Sequence, residues 1–136
     1  MRRTRMRDSG DEEPERRRRM ILVVDDDMVI SEVLRKWLEG EGFDVTTCSD
    51  GQQAYDKLKE DGVECMILDI NMPLINGVEL LLLMQAEGID VPTVVMAGFD
   101  DFDEKEMKQF GNVVRFFPKP FEMEEMVRTV KSVAEG

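Results

Sequence analysis

The sequence predicts an α/β protein in which a doubly wound, parallel five-stranded sheet is covered by helices on both faces. Strand-like and helix-like segments alternate five times along the chain. The strand-like segments are runs without polar alternation, which is typical of parallel strands buried on both faces. The length of 136 residues suits one domain with its own core.

The predicted strands are short runs of apolar or β-branched residues. They lie at 20–24, 44–48, 65–69, 93–97 and 113–117. The first helix is predicted at 29–38, where apolar residues recur every four positions in two adjacent rows, and GEGF at 40–43 ends it. The other helices are predicted at 51–62, 78–87, 100–111 and around the apolar residues Met126, Val127, Val130 and Val133.

Charge divides the chain into two parts. Residues 1–19 carry eight arginines and five acidic residues, a net charge of +3, which leaves −15 on residues 20–136. The first part lacks apolar periodicity, so we expect a disordered Arg-rich tail, with a functional basic arm as the alternative. We expect a single folded domain at 20–136, too acidic to bind nucleic acid directly.

Several classes of protein are excluded by what the sequence lacks. The chain has no histidine, which removes Ser-His and Cys-His catalytic units and most zinc sites. No apolar run is long enough to span a membrane or to form a signal peptide, so we expect a cytoplasmic protein. Cys48 and Cys65 lack metal-ligand spacing and are interpreted as buried thiols.

Sites in parallel α/β sheets form at the carboxyl ends of the strands. The residues at or just after these ends are Asp25, Asp26, Asp27, Asp69, Ala97, Gly98 and Lys119, most of them charged. Carboxylates about 4 Å apart repel by roughly 4 kcal/mol at an effective dielectric constant near 20. A cluster of them therefore needs a cation or a proton, and Lys119 together with a hard divalent ion such as Mg²⁺ would supply the charge. A solvated acidic rim is the alternative for any single residue.

Three motifs point to one family. ILVVDDD, then MILDINMP followed by NG, then FFPKPF occur in this order, and together they resemble the receiver domain of two-component response regulators over residues 20–136. The resemblance implies the flavodoxin-like strand order 2-1-3-4-5. In that order Cys48 and Cys65 lie two strand spacings apart, about 9–10 Å, so no disulfide is predicted.

The resemblance also implies a role for each matching residue. Asp69 matches the phosphoacceptor, which would take a phosphoryl group from a partner phosphohistidine. Asp25 and Asp26 match the acidic pair that binds Mg²⁺, Asp26 directly and Asp25 largely through water. The main-chain carbonyl of Asn71 would complete the protein ligands.

Two further expectations concern the neighbours of these residues. Lys119 matches the lysine that contacts the phosphoryl group and would be joined to Pro120 by a cis peptide bond. Asp27, the third acid of its run, is expected beside the site without being a metal ligand.

The sequence departs from the family pattern at the end of the fourth strand. Receivers usually carry Ser or Thr where this chain has Ala97, so the hydroxyl that would contact the phosphoryl group is missing. The backbone N–H groups of Ala97 and Gly98 remain as possible donors. Phe116 matches the aromatic switch position, although simple core packing explains it equally well. We therefore expect a phosphorylatable Asp69 with weakened or altered switching.

The implied function is that of a stand-alone response regulator, a signalling phosphoacceptor and not an enzyme. Its partners would be a sensor histidine kinase or a histidine phosphotransfer protein, and a downstream protein bound by the face of the fourth and fifth strands and helices. A pseudo-receiver that docks independently of phosphorylation is one alternative, favoured by Ala97. A phosphatase of the haloacid dehalogenase type is disfavoured, because Asn71 cannot serve as a general acid and Asp69 follows the third strand instead of the first.

Overall fold

The structure confirms the predicted alternation of strands and helices. A computed structural model describes residues 20–60, 62–72, 74–98 and 104–135. In chain order the elements are β1 (Met20–Val24), α1 (Met28–Gly40), β2 (Asp44–Cys48), α2 (Gly51–Leu58), β3 (Val63–Asp69), α3 (Gly77–Glu87), β4 (Thr93–Ala97), α4 (Glu104–Met107), β5 (Val113–Pro118) and α5 (Met123–Glu135). No helix in this described part is long and apolar enough to cross a membrane.

The five strands form one parallel sheet in the order β2-β1-β3-β4-β5, which is the order that the family resemblance implies. Val24 of β1 is paired with Leu68 of β3. The next residues, Asp25 and Asp69, therefore lie side by side where these two strands end. Ala97 is paired with Pro118, so Lys119 emerges at this same edge.

The core lies on both faces of the sheet, because successive strand residues point to opposite sides. Leu22, Met66 and Val95 belong to a cluster that also contains residues of α2 and α3. Ile21 and Ile67 belong to a second cluster, which contains residues of α1 and α5. The helices thus cover both faces of the sheet, as a doubly wound fold requires. A site is therefore expected at the edge where the strands end.

Two helices end earlier than predicted. α2 ends at Leu58 and not at Gly62, because the amide of Glu60 bonds the carbonyl of Lys57 in a tight turn. α4, described as Glu104–Met107, ends at Met107 and not at Gly111, since the amides that follow it also bond three residues back. The predicted start of this helix at 100–103 and the predicted tail at 1–19 lie outside the described residues. Both cysteines are free and buried, so the predicted absence of a disulfide is confirmed.

Candidate functional site

Three carboxylates converge at the carboxyl edge of the sheet. Asp25 follows β1 and Asp69 ends β3, and they are buried, with 1% and 4% of their surface exposed. Asp26 is exposed beside them. One carboxylate oxygen from each of the three lies within 4.8 Å of the others. The sequence prediction that these acids share one edge is therefore confirmed.

Asp25 is held in place by hydrogen bonds from several directions. One carboxylate oxygen, Oδ1, accepts a bond from the Asp27 N–H at 2.8 Å, and the other, Oδ2, accepts one from Lys119 Nζ at 3.3 Å. Its carbonyl accepts a bond from the buried Ser31 hydroxyl at 3.3 Å, and its amide donates to the Cys48 carbonyl at 3.0 Å. A buried carboxylate is tolerated here because its oxygens have partners.

The side chain of Asp27 has a structural role that was not predicted from the sequence. Its side chain accepts hydrogen bonds from the N–H groups of Val29 and Ile30, at 2.9 and 3.3 Å, and caps the first turn of α1. It lies outside the three-carboxylate cluster. An aspartate directly before a periodic apolar stripe is an N-cap signal, so the sequence did contain this information.

Lys119 brings a positive charge between the two buried acids. Its amide donates to the Ala97 carbonyl at 2.8 Å, and its bond to Pro120 is cis, as the resemblance implies. Its Nζ lies 3.3 Å from Asp25 Oδ2 and 3.4 Å from Asp69 Oδ2. Burial opposes the charge, but the two carboxylates outweigh it and raise the pKa of Lys119 above its ordinary value.

Asp69 is an acid whose ionised form is disfavoured. Burial, and then the neighbouring charge of Asp25, raise the pKa of Asp69 to about 6, against opposing effects of Lys119 and of the Asn71 N–H. That N–H donates to Asp69 Oδ1 at 3.2 Å. The side chain is therefore mostly ionised at neutral pH, although at a cost in free energy that an additional cation would reduce.

The donor set suits a hard divalent cation. The three carboxylates supply only oxygen ligands, which Mg²⁺ prefers. Lys119 offsets one of their three charges, so the arrangement leaves a net negative charge at the edge of the sheet. Asn71, the first residue after Ile70 in the loop, is exposed at this edge.

The residues expected to take part in switching lie against the core. Ala97 is fully buried and belongs to the cluster on the α2 and α3 face of the sheet. Phe116 is half-buried and packs against that same cluster, which fits the core-packing interpretation of this residue. Gly98 follows Ala97 and is half-buried. The end of β4 therefore carries a methyl group where a hydroxyl was expected from the family pattern.

Comparisons with known proteins agree on one family. The family model "Response regulator receiver domain" matches residues 21–131. Response regulator MprA of Mycolicibacterium vanbaalenii is 32% identical over 104 residues, which cover 76% of this chain and 45% of the relative. The corresponding Mycobacterium leprae protein is 30% identical over 104 residues, which cover 76% of this chain and 46% of the relative. The chain thus spans about half the length of the curated relatives it matches.

Solved structures share the fold. The receiver domain of the Francisella response regulator 1452 has a TM-score of 0.79 and 24% identity, with coverage of 86% of this chain and 97% of that one. The receiver domain of a Pseudomonas aeruginosa sensor histidine kinase, solved with a magnesium ion coordinated in its active site cleft, has a TM-score of 0.76 and 24% identity, with coverage of 88% and 99%. From the family match and the curated relatives, the chain belongs to the response regulator receiver domain family.

Proposed function

We propose that this chain accepts a phosphoryl group on Asp69 and passes the signal on through protein contacts. The observation that carries this proposal is the position of Asp69, a buried carboxylate 3.4 Å from the Lys119 ammonium and within 4.8 Å of two other acids. The receiver would span residues 20–136. The donor would be a phosphohistidine on a sensor histidine kinase or a histidine phosphotransfer protein, since this chain has no histidine of its own.

The proposed step is an in-line phosphoryl transfer. A carboxylate oxygen of Asp69 attacks phosphorus, the phosphorus–nitrogen bond of the phosphohistidine breaks, and the departing imidazole nitrogen takes up a proton. The product is an acyl phosphate on the chain itself, so the protein acts as a signalling phosphoacceptor. Because the raised pKa of Asp69 is about 6, the attacking carboxylate is ionised at neutral pH.

Mg²⁺ is the proposed cofactor. Asp25, Asp26, Asp69 and the main-chain carbonyl of Asn71 would hold it, and the three carboxylates already have ligand atoms within 4.8 Å of one another. When bound, the ion supplies positive charge that offsets the repulsion between the carboxylates and the incoming phosphoryl oxygens. The magnesium ion in the Pseudomonas receiver domain of the same fold supports this choice.

Lys119 is proposed to bind the phosphoryl group once it has been transferred. Its Nζ already lies within 3.4 Å of both buried carboxylates, and an ammonium can exchange one of these contacts for a phosphoryl oxygen. The exchange would leave the ammonium paired in both states. Phosphorylation therefore need not expose an unpaired charge.

Output is proposed to use the face of β4, α4, β5 and α5. The N–H groups of Ala97 and Gly98 are proposed phosphoryl contacts, because Ala97 offers no hydroxyl. Phe116 packs against the core, so its response to phosphorylation is proposed to be weak. A pseudo-receiver that docks independently of phosphorylation is the second candidate, and Ala97 is the observation that favours it.

A beryllofluoride titration followed by NMR tests the proposal and separates the two candidates. We expect the wild-type chain to show Mg²⁺-dependent shifts of amides near Asp69 and a similar response to acetyl phosphate. Asp69→Asn should abolish both, whereas Asp90→Asn, at an exposed carboxylate on the loop before β4, should retain them. A wild-type chain that responds to neither reagent would contradict phosphorylation and leave the pseudo-receiver.

A further inference from the structure

The described part of the loop between β3 and α3, residues 70–72 and 74–76, is held against the start of its own helix. The Gly77 N–H donates to the Ile70 carbonyl at 2.9 Å. A Cβ atom on Gly77 would lie 2.7 Å from Ile70 Cα, which is closer than packed atoms tolerate. The two ends of the loop are therefore held close together. Asn71, whose carbonyl is a proposed Mg²⁺ ligand, directly follows Ile70 in the chain.

A second close contact joins the loop to α2. Gly51, the buried first residue of α2, packs directly on the main chain of Ile75. A Cβ atom at position 51 would lie 2.0 Å from the Ile75 carbonyl oxygen and 2.8 Å from its carbonyl carbon. The α2 backbone and the loop are thus closer than any residue with a side chain would allow.

The loop keeps a strained backbone between these contacts. Leu74 has a φ of 65° and is 75% exposed, so burial of the residue does not compensate for the conformation. A left-handed conformation costs a non-glycine residue roughly 1–2 kcal/mol. Such a conformation persists only where neighbouring contacts impose it. Here Met72 is buried on one side and Ile75 rests on Gly51 on the other.

We propose that Gly51 is a positioning residue for the acidic site, acting through Ile75 on the loop that carries Asn71. This inference rests on the proposed metal role of the Asn71 carbonyl. A Cβ atom at position 51 would have to retreat from the Ile75 oxygen by about 1 Å to reach 3.0 Å, the shortest separation that real Cβ atoms show. A close-packed structure transmits such a displacement, and a binding site tolerates a displacement of its ligand groups of only about 0.5 Å.

The test compares Gly51→Ala with Gly40→Ala by isothermal titration with MgCl₂. Gly40 is the matched control, because a Cβ atom there meets nothing within 4 Å. We expect Gly51→Ala to weaken Mg²⁺ binding about 10- to 100-fold, as the loss of outer-shell support does at other metal sites, and the control to stay within about twofold of wild type. NMR amide shifts in Gly51→Ala should reach residues 70–72.

A second variant approaches the same contact from the loop. Ile75→Gly removes a half-buried side chain that packs against the core, including the Cβ atom that faces Gly51, and it frees the loop backbone while Gly51 is kept, so it provides the test if Gly51→Ala does not fold. We expect it also to weaken Mg²⁺ binding. If both folded variants bind Mg²⁺ as the wild type does, even with a lower free energy of unfolding, the positioning role is overturned and the proposed function stands. A wild-type chain that does not bind Mg²⁺ overturns both.

Discussion

The ammonium nitrogen of Lys119 lies 3.3 Å from the Asp25 carboxylate, a residue 94 positions earlier in the chain. The same nitrogen lies 3.4 Å from Asp69, so one cation is shared by two buried acids. This charge offsets part of the cost of burying two adjacent carboxylates. Lys119 therefore has a structural role in the unmodified protein.

Replacing Lys119 by Met should destabilise the fold, because it leaves two adjacent buried carboxylates without their cation. Met keeps a long side chain, so the main change is the lost charge. We expect the free energy of unfolding at pH 7 to fall by about 1–3 kcal/mol, less than for a fully buried pair because Lys119 is 24% exposed. Urea denaturation with and without Mg²⁺ measures this, and Mg²⁺ should restore part of the loss.

The matched control for this experiment is Lys131→Met. Lys131 forms an ion pair with Glu41 at 2.9 Å, but both side chains are well exposed. Exposed pairs contribute at most about 1 kcal/mol, so we expect little change. Equal stability of Lys119→Met and the wild type would contradict the shared-cation interpretation.

Removing the charge of Asp69 should stabilise the fold at neutral pH, whereas removing that of Lys119 should destabilise it. Its pKa in the fold is about 6, above the ordinary 3.8, so the folded state binds the proton more tightly than the unfolded state. Stability contributed by the protonated form is fully present below about pH 4 and is lost as the pH rises through 6.

We therefore expect Asp69→Asn to raise the free energy of unfolding by about 1–3 kcal/mol at pH 7–8 without Mg²⁺. The gain should shrink below pH 6 and vanish near pH 4. Thermal or urea unfolding across this pH range measures it, with Asp90→Asn as the exposed control. A gain that stays constant with pH would mean that the Asp69 charge is not its source.

The cap at Asp27 gives a prediction that does not depend on the metal. Asp27→Ala removes the acceptor for two N–H groups of α1 and should lower the free energy of unfolding by about 1 kcal/mol. Asp27→Asn keeps a cap oxygen and should stay close to wild type. If both variants lose equal stability, the charge of Asp27 and not its capping bond is what matters.

Asp27 also shows what the sequence could and could not predict. Apolar runs that alternate with helical stripes predicted the parallel sheet, and this placed the residues after each strand at one edge. That Asp25 and Asp69 are neighbours required the strand order, which local patterns do not contain and which the family resemblance supplied. Within the run of three acids, the position of Asp27 before the apolar stripe already indicated an N-cap. The burial of Asp25 and the exposure of Asp26 are seen only in the structure.

Contacts between distant segments of the chain could not be predicted from the sequence. The approach of Gly51 to Ile75 depends on how α2 packs against a loop from the next βα unit. The positive φ of Leu74 runs against the preference of leucine, so tertiary contacts override the local signal. The early end of α2 has a local origin instead, because the Glu60 N–H bonds the Lys57 carbonyl and periodicity does not show such individual hydrogen bonds.

The methyl group of Ala97 gives the last prediction. It is fully buried in the cluster that Phe116 packs against, so Ala97→Ser places a hydroxyl in apolar surroundings. This should lower the free energy of unfolding by about 1–2 kcal/mol in the unmodified protein. With beryllofluoride bound to Asp69, the hydroxyl would gain an acceptor, and the loss should largely disappear.

Val95→Thr is the control, because Val95 lies two residues earlier on β4, is fully buried and belongs to the same cluster. Its new hydroxyl is farther from the strand end, about 6–7 Å along β4, so beryllofluoride should not offset its cost. Urea unfolding with and without beryllofluoride compares the two variants. Recovery in Ala97→Ser alone would show that a hydroxyl at position 97 contacts the group bound to Asp69. Equal losses without recovery would instead favour a docking module whose surface does not depend on phosphorylation.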